Sequence, residues 1–135
     1  MLKIGFTGTR HGMNDVQKKE FEKIVDSKEV EEFHHGMCVG SDEQAHYIIT
    51  TKNIKTIGHP PKYKKFEAKC KCDITTKPFD YLERNKHIVD DTDILVATPD
   101  VKEKIRSGTW STIRYARKKG KRIYIIHKNG RITIE

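Results

Sequence analysis

Two short segments combine glycine, hydroxyl and arginine in the way a phosphate site requires. Thr7-Gly8-Thr9-Arg10 lies near the start of the chain, and Arg106-Ser107-Gly108-Thr109-Trp110 lies near its end. Glycine lets a backbone approach an anion, hydroxyls and amide N–H groups donate to it, and arginine offers a planar fork of charged donors. Each segment follows an apolar run, and the second opens directly into helical periodicity. A loop between a strand and a helix N-terminus presents N–H groups without partners, and negative charge is stabilised there. Two such loops in one short chain point to a phosphorylated small molecule, most naturally a nucleotide.

The stretch from His34 to His46 is also dense in reactive groups. Gly36 and Gly40 permit tight turns, and Ser41 and Asp42 lead into a helix. Asp42 serves equally well as a ribose contact or as a helix cap, while His46, four residues on, reads as a solvated helix residue. In Tyr81-Leu82-Glu83-Arg84-Asn85, Arg84 could reach a phosphate and Asn85 a sugar or base; the alternative is an exposed arginine paired with Glu83 or Asp80. Trp110 offers a stacking platform for a base, and equally a hydrophobic staple or a homodimer contact. Three histidines and a carboxylate invite a metal, and Cys70-x-Cys72 could join His59 or Cys38 around zinc. Neither spacing is that of a common site, so no metal and no cofactor are expected, and Cys38, Cys70 and Cys72 read as reduced thiols.

These residues need a scaffold, and the periodicity supplies one. Residues 2–6 read as a buried strand. Asn14 caps a helix from Asp15 to about Ser27, with Val16, Phe21, Ile24 and Val25 on one face. Strands follow at Glu32 to Met37, Ile54 to Gly58, Thr92 to Thr98 and Arg122 to His127, separated by helices from Ser41 to about Thr51, Asp80 to about Asp91 and Thr109 to Lys119. The third helix directs Leu82, Ile88 and Val89 inward, and Gly120 closes the last one. Asn129-Gly130 marks a hairpin into a final strand, Arg131 to Ile134. Residues 60–78 have no period; their lysine-rich part, 62–71, reads as a lid. Alternation of strand and helix predicts α/β architecture: a single three-layer Rossmann-like domain over residues 1–135, with a mostly parallel sheet of about five strands plus the hairpin strand. Ligands of such sheets sit beyond the carboxyl ends of the strands, where the glycine-rich loops would converge.

The chain has 135 residues, 27 basic and 19 acidic, for a net charge of +8, with 35% hydrophobic and 34% charged residues. Its longest apolar runs are far too short for a bilayer, and its start carries no leader-like apolar stretch, so a cytoplasmic protein without a membrane partner is expected. The positive charge raises the local concentration of any anion. The basic residues do not line one element, so only weak, non-specific nucleic-acid binding is expected.

In order, TGTR at Thr7–Arg10, HHGxCxGxDxxAH at His34–His46 (with Met37 and Val39 among the variable positions), HPP at His59–Pro61, YLxRN at Tyr81–Asn85 and RSGTW at Arg106–Trp110 resemble the SLOG superfamily. That superfamily is Rossmann-like and includes the LONELY GUY phosphoribohydrolases and the DNA-processing protein A fold. The resemblance runs from Lys3 to about Ile126 and implies a nucleotide-binding rim. The LONELY GUY enzymes carry PGGxGTxxE with a catalytic glutamate; this chain matches its GT at Gly108-Thr109 but has Thr112 at the glutamate position. Threonine cannot stabilise an oxocarbenium ion as a carboxylate does. The implied phosphate site therefore carries over without the chemistry. Sensing or carrying the ligand is the favoured reading; N-glycosidic cleavage using Asp42 or Glu83 is the rival, and a basic nucleic-acid-binding module the third.

Overall fold

The computed structural model describes residues 1–135. In chain order its elements are β1 (Leu2–Gly8), α1 (Asp15–Asp26), β2 (Val30–His35), α2 (Ser41–Ile49), β3 (Lys55–Gly58), β4 (Ile74–Thr75), α3 (Tyr81–Asp90), β5 (Ile94–Thr98), α4 (Gly108–Lys118), β6 (Arg122–Ile126) and β7 (Ile132–Ile134). All seven strands form one sheet in the order β4-β3-β2-β1-β5-β6-β7. Only β7 runs antiparallel, through the Asn129-Gly130 turn.

The central strands are buried on both faces, so their side chains alternate between two cores. Ile94 and Val96 of β5 join Ile4, Phe6 and Phe33 under α1 and α2. Leu95 and Ala97 face the other way, onto Val89 of α3 and Trp110, Ile113 and Ala116 of α4. Helices therefore cover both faces, as continuous apolar strands demand. Phe6, Phe21 and Phe33 meet edge-on or tilted, with ring centroids 5.3–5.7 Å apart, at the centre of the first core.

Helix starts follow capping chemistry. Asn14 and Gln17 form a reciprocal capping box on α1. This turns Gln17 inward, where its amide donates to the carbonyls of Pro99 and Ile126 at 2.9 and 3.0 Å. Val16, expected on the apolar face, is accordingly exposed. A similar correction applies to α3: Arg84, with Ile88 one turn later, takes the inward stripe, and Leu82 points to solvent. The sheet also has one strand more than the sequence predicts. β4, two residues in the aperiodic stretch, pairs with β3 because Asp73 accepts from the Thr56 amide and hydroxyl at the strand's entry.

The chain steps outward from β1 through β2, β3 and β4, then crosses back to β5 on the other side of β1. The carboxyl ends of β1 and β5 are thus the switch point of the sheet, where connections diverge and leave a crevice.

Candidate functional site

A cleft of about 430 Å³ opens at that switch point. Its volume falls within the range of small-molecule sites. One side is built by Thr7, Gly8, Thr9 and Arg10 from the end of β1 and by Ser107, Gly108 and Thr109 at the start of α4. The opposite side carries Gly36, Cys38, Asp42, Arg84 and Asn85. Two loops predicted from sequence to share a rim do share it.

On the β1–α4 side, polar groups lack partners. Ser107 caps α4 by accepting from the Trp110 amide at 3.3 Å. The N–H groups of Gly108 and Thr109 precede the first acceptors of the helix and find none elsewhere in the chain. A side chain at Gly108 would meet nothing within 4 Å, so that backbone is open to an approaching group. Three hydroxyls nearby, Thr9 Oγ1, Ser41 Oγ and Thr98 Oγ1, are buried without a hydrogen-bond partner. Ser41 and Thr98 crowd Gly8 so closely that a Cβ there would collide with both. The loop itself is fixed: the Thr9 carbonyl accepts from Gly12 and Ser41 amides at 3.1 and 3.0 Å. Gly40, at φ +86°, passes so near the Arg10 backbone that no other residue fits, which makes its role positional. Arg10, Lys104 and Arg106 are exposed at the mouth and form no ion pair; Arg10 instead lies over the Phe66 ring, 4.3 Å from its centroid.

The facing side is largely satisfied from within the chain. Asp42 Oδ2 accepts from the amides of Gly36 and Cys38 at 3.1 and 3.2 Å. Burial nevertheless wins over these donors and over Arg84, and pushes the Asp42 carboxyl up to about 6. Arg84 is buried, and its guanidinium donates to the carbonyls of Gly36 and His59, to Asn85 Oδ1 and to Cys38 Sγ. A guanidinium has five N–H donors; these contacts occupy four. Arg84 therefore braces three segments of the cleft wall, where the sequence suggests a phosphate ligand. Behind it, His34 and His59 share a 2.8 Å hydrogen bond, and burial with neighbouring positive groups holds His59 down to about 3.

Two expected site residues, Trp110 and Glu83, lie elsewhere, and a third residue departs from its expected exposure. Trp110 is buried in the second core with its indole N–H on the Val101 carbonyl at 3.1 Å, so it cannot stack on a ligand in this cleft. Glu83 lies on the exposed side of α3, with His87 at 3.7 Å, and lines no part of the cleft. His46 is buried, not solvated. Thr112 is also buried and donates to the Gly108 carbonyl at 2.8 Å, a contact internal to α4. Conversely, Asp100, Lys104, His11 and Phe66 line the cleft without having been singled out as site residues. The first two come from the polar 99–106 connection. Phe66 arrives from the lysine-rich stretch, which is stitched to residues 37–39 by backbone hydrogen bonds of 2.8 Å and forms a wall.

No protein-family model matches the sequence, and no curated protein matches it. Among solved structures, the molybdenum cofactor binding protein of Rippkaea orientalis superposes with a TM-score of 0.69 at 21% identity, over 92% of this chain and 75% of that one. The molybdenum cofactor carrier protein of Chlamydomonas reinhardtii gives 0.63 at 16% identity, over 93% and 76%. DNA processing protein A of Streptococcus pneumoniae gives 0.64 at 19% identity, over 91% of this chain and 49% of that longer one. At these identities the likeness establishes the fold alone. The chain shares the Rossmann-like fold of these proteins.

Proposed function

We propose that the cleft binds a nucleotide or a nucleotide-derived phosphorylated molecule, and that the chain senses or carries this ligand without hydrolysing it. The supporting observation is the set of groups without partners at the switch point: the Gly108 and Thr109 amides and the Thr9 hydroxyl, all from residues that line the cleft. Buried polar groups are normally satisfied, and amides and a hydroxyl left unpaired on one wall suit a ligand rich in acceptor oxygens. In this reading Thr7, Gly8, Thr9, Ser107, Gly108 and Thr109 hold phosphate at a helix N-terminus. Arg10, with Lys104 and Arg106 at the mouth, supplies charge. Asp42 and Asn85, across the cleft, meet sugar or base hydroxyls, and Asp100 accepts from donors on the same ligand.

Hydrolysis is disfavoured because the motif position of the related enzymes holds Thr112, turned into its own helix. Asp42 is the remaining carboxylate with sugar-side placement, and one of its oxygens, Oδ2, is already engaged by two amides. The structural likeness to molybdenum cofactor proteins favours a second reading, in which that cofactor occupies the same cleft.

Calorimetry with a panel of nucleoside mono-, di- and cyclic phosphates, and with molybdenum cofactor, separates these readings. Nucleotide binding that weakens at least tenfold in Gly108→Val, with folding unchanged, supports the proposal; binding only to molybdenum cofactor supports the second. Release of free base by the parent, lost in Asp42→Asn while binding persists, would establish an enzyme instead.

A further inference from the structure

Away from the cleft, under β2 and α2, four side chains from three segments converge. His35 ends β2, His46 lies in the second turn of α2, and Cys70 and Cys72 come from the aperiodic stretch before β4. Their ligand atoms all lie within 4.8 Å of one another. His35 Nε2 is 3.1 Å from His46 Nδ1, and Cys72 Sγ is 3.5 Å from the former and 4.0 Å from the latter.

We propose that His35, His46, Cys70 and Cys72 form a closed tetrahedral site for zinc, which clips residues 66–72 to the sheet. With Zn–N near 2.0–2.1 Å and Zn–S near 2.3 Å, a tetrahedron has edges of about 3.3 Å between nitrogens and about 3.6 Å between nitrogen and sulfur. The three edges among His35, His46 and Cys72 fall within about 0.4 Å of those values, so these donors already stand at ligand spacing, with Cys70 within 4.8 Å of each. Two thiolates and two imidazoles are a common structural zinc set, and thiolates disfavour calcium or magnesium. The donors are all buried, at 0%, 2%, 5% and 9% exposure, and the two cysteines come from a stretch that has little apolar sequence of its own. Burying four polar side chains costs free energy that a handful of bent contacts among them repays poorly. Coordination repays it directly and charge-balances the site: the two thiols release their protons to solvent as the dication enters.

One contact must change. The Met37 amide donates to His35 Nδ1 at 3.0 Å, which leaves the ring proton on Nε2. Ligation through Nε2 moves that proton to Nδ1, so the Met37 N–H must release it. His46 faces no such conflict through Nδ1. The Met37 amide is therefore the reporter of occupancy.

The site explains how a lysine-rich segment becomes a wall. Ala68 donates to the Met37 carbonyl and Phe66 accepts from Val39 just before the two cysteines, and Phe66 carries the Arg10 side chain. Sequence spacing conceals the site because the histidines are eleven residues apart on different elements, and the cysteines lie more than twenty residues further on.

The test is metal analysis of the full chain purified under reducing conditions, with cobalt(II) titration of chelator-treated protein. One zinc per chain, and tetrahedral thiolate–cobalt absorption displaced by zinc, are expected. The bands should vanish in Cys70→Ser and Cys72→Ser and persist in Cys38→Ser. A wild-type chain that folds without metal and gives no such bands overturns the proposal, even if the serine variants do not fold. Bands that survive both serine substitutions overturn it as well. In the amide spectrum, zinc addition should shift Met37; a resonance that stays in place removes His35 from the ligand set.

Discussion

The β1–α4 side of the cleft and the Asp42–Arg84 side contain the same kinds of polar residue and treat them differently. On the first, hydroxyls and helix-terminal amides have no partner in the chain, and Arg10 rests on Phe66 without a carboxylate. On the second, Arg84 and Asp42 are turned toward backbone groups of residues 36–38 and 59 and hold the loops in place. An arginine beside the cleft thus has two uses: one is available to a ligand, the other keeps the wall standing. Residue type does not distinguish them; an inventory of donors and acceptors does.

Substituting each arginine should break this symmetry most visibly. Arg84→Ala strands two carbonyls and leaves Asp42 buried without its cation, so a loss of about 3–5 kcal/mol in urea unfolding is expected. A loss below 1 kcal/mol would mean that Arg84 is free for ligand after all.

Asp42→Asn tests the same wall by pH. A carboxyl raised from 3.8 to about 6 contributes stability below its unfolded pKa, and that contribution is lost as pH rises through 6. The variant should therefore gain on the parent between pH 4 and pH 8 by on the order of 2–3 kcal/mol. A pH-independent difference would contradict the burial argument.

Arg10→Ala should leave stability within about 0.5 kcal/mol. Nucleotide affinity should fall by about 1.5–3 kcal/mol, roughly ten- to a hundredfold. Equal binding by variant and parent would remove Arg10 from the site.

The smallest effect is expected at Trp110. Trp110→Phe loses the hydrogen bond to Val101 and should cost about 1 kcal/mol in stability with affinity unchanged. A tenfold weaker ligand would restore the stacking role that its burial argues against.

Much of the frame was legible because it rests on local signals. Asn14 and Gly120 mark helix ends by their own chemistry, and the apolar strands at 94–98 and 122–126 have one plausible use. The convergence of the Thr7–Arg10 and Ser107–Thr109 loops followed from strand-helix alternation alone. What escaped depends on contacts remote in sequence. β4 exists because Asp73 meets Thr56, and Val16 loses its inward place to Gln17, whose amide reaches Pro99 and Ile126. Trp110 reads alike as a stacking platform or a core residue until β5 is placed against α4. His46 is buried by a strand and a loop that no helical pattern contains.

The central claim is that ligand phosphate sits on the β1–α4 side. Amide chemical-shift mapping during titration with a nucleoside monophosphate tests it most directly. The account predicts the largest shifts at Gly8, Thr9, Gly108 and Thr109, with smaller movement at Gly36 and Cys38, whose amides are already held by Asp42. Shifts concentrated at Gly36 and Cys38, or an unchanged spectrum at saturating nucleotide, would contradict it.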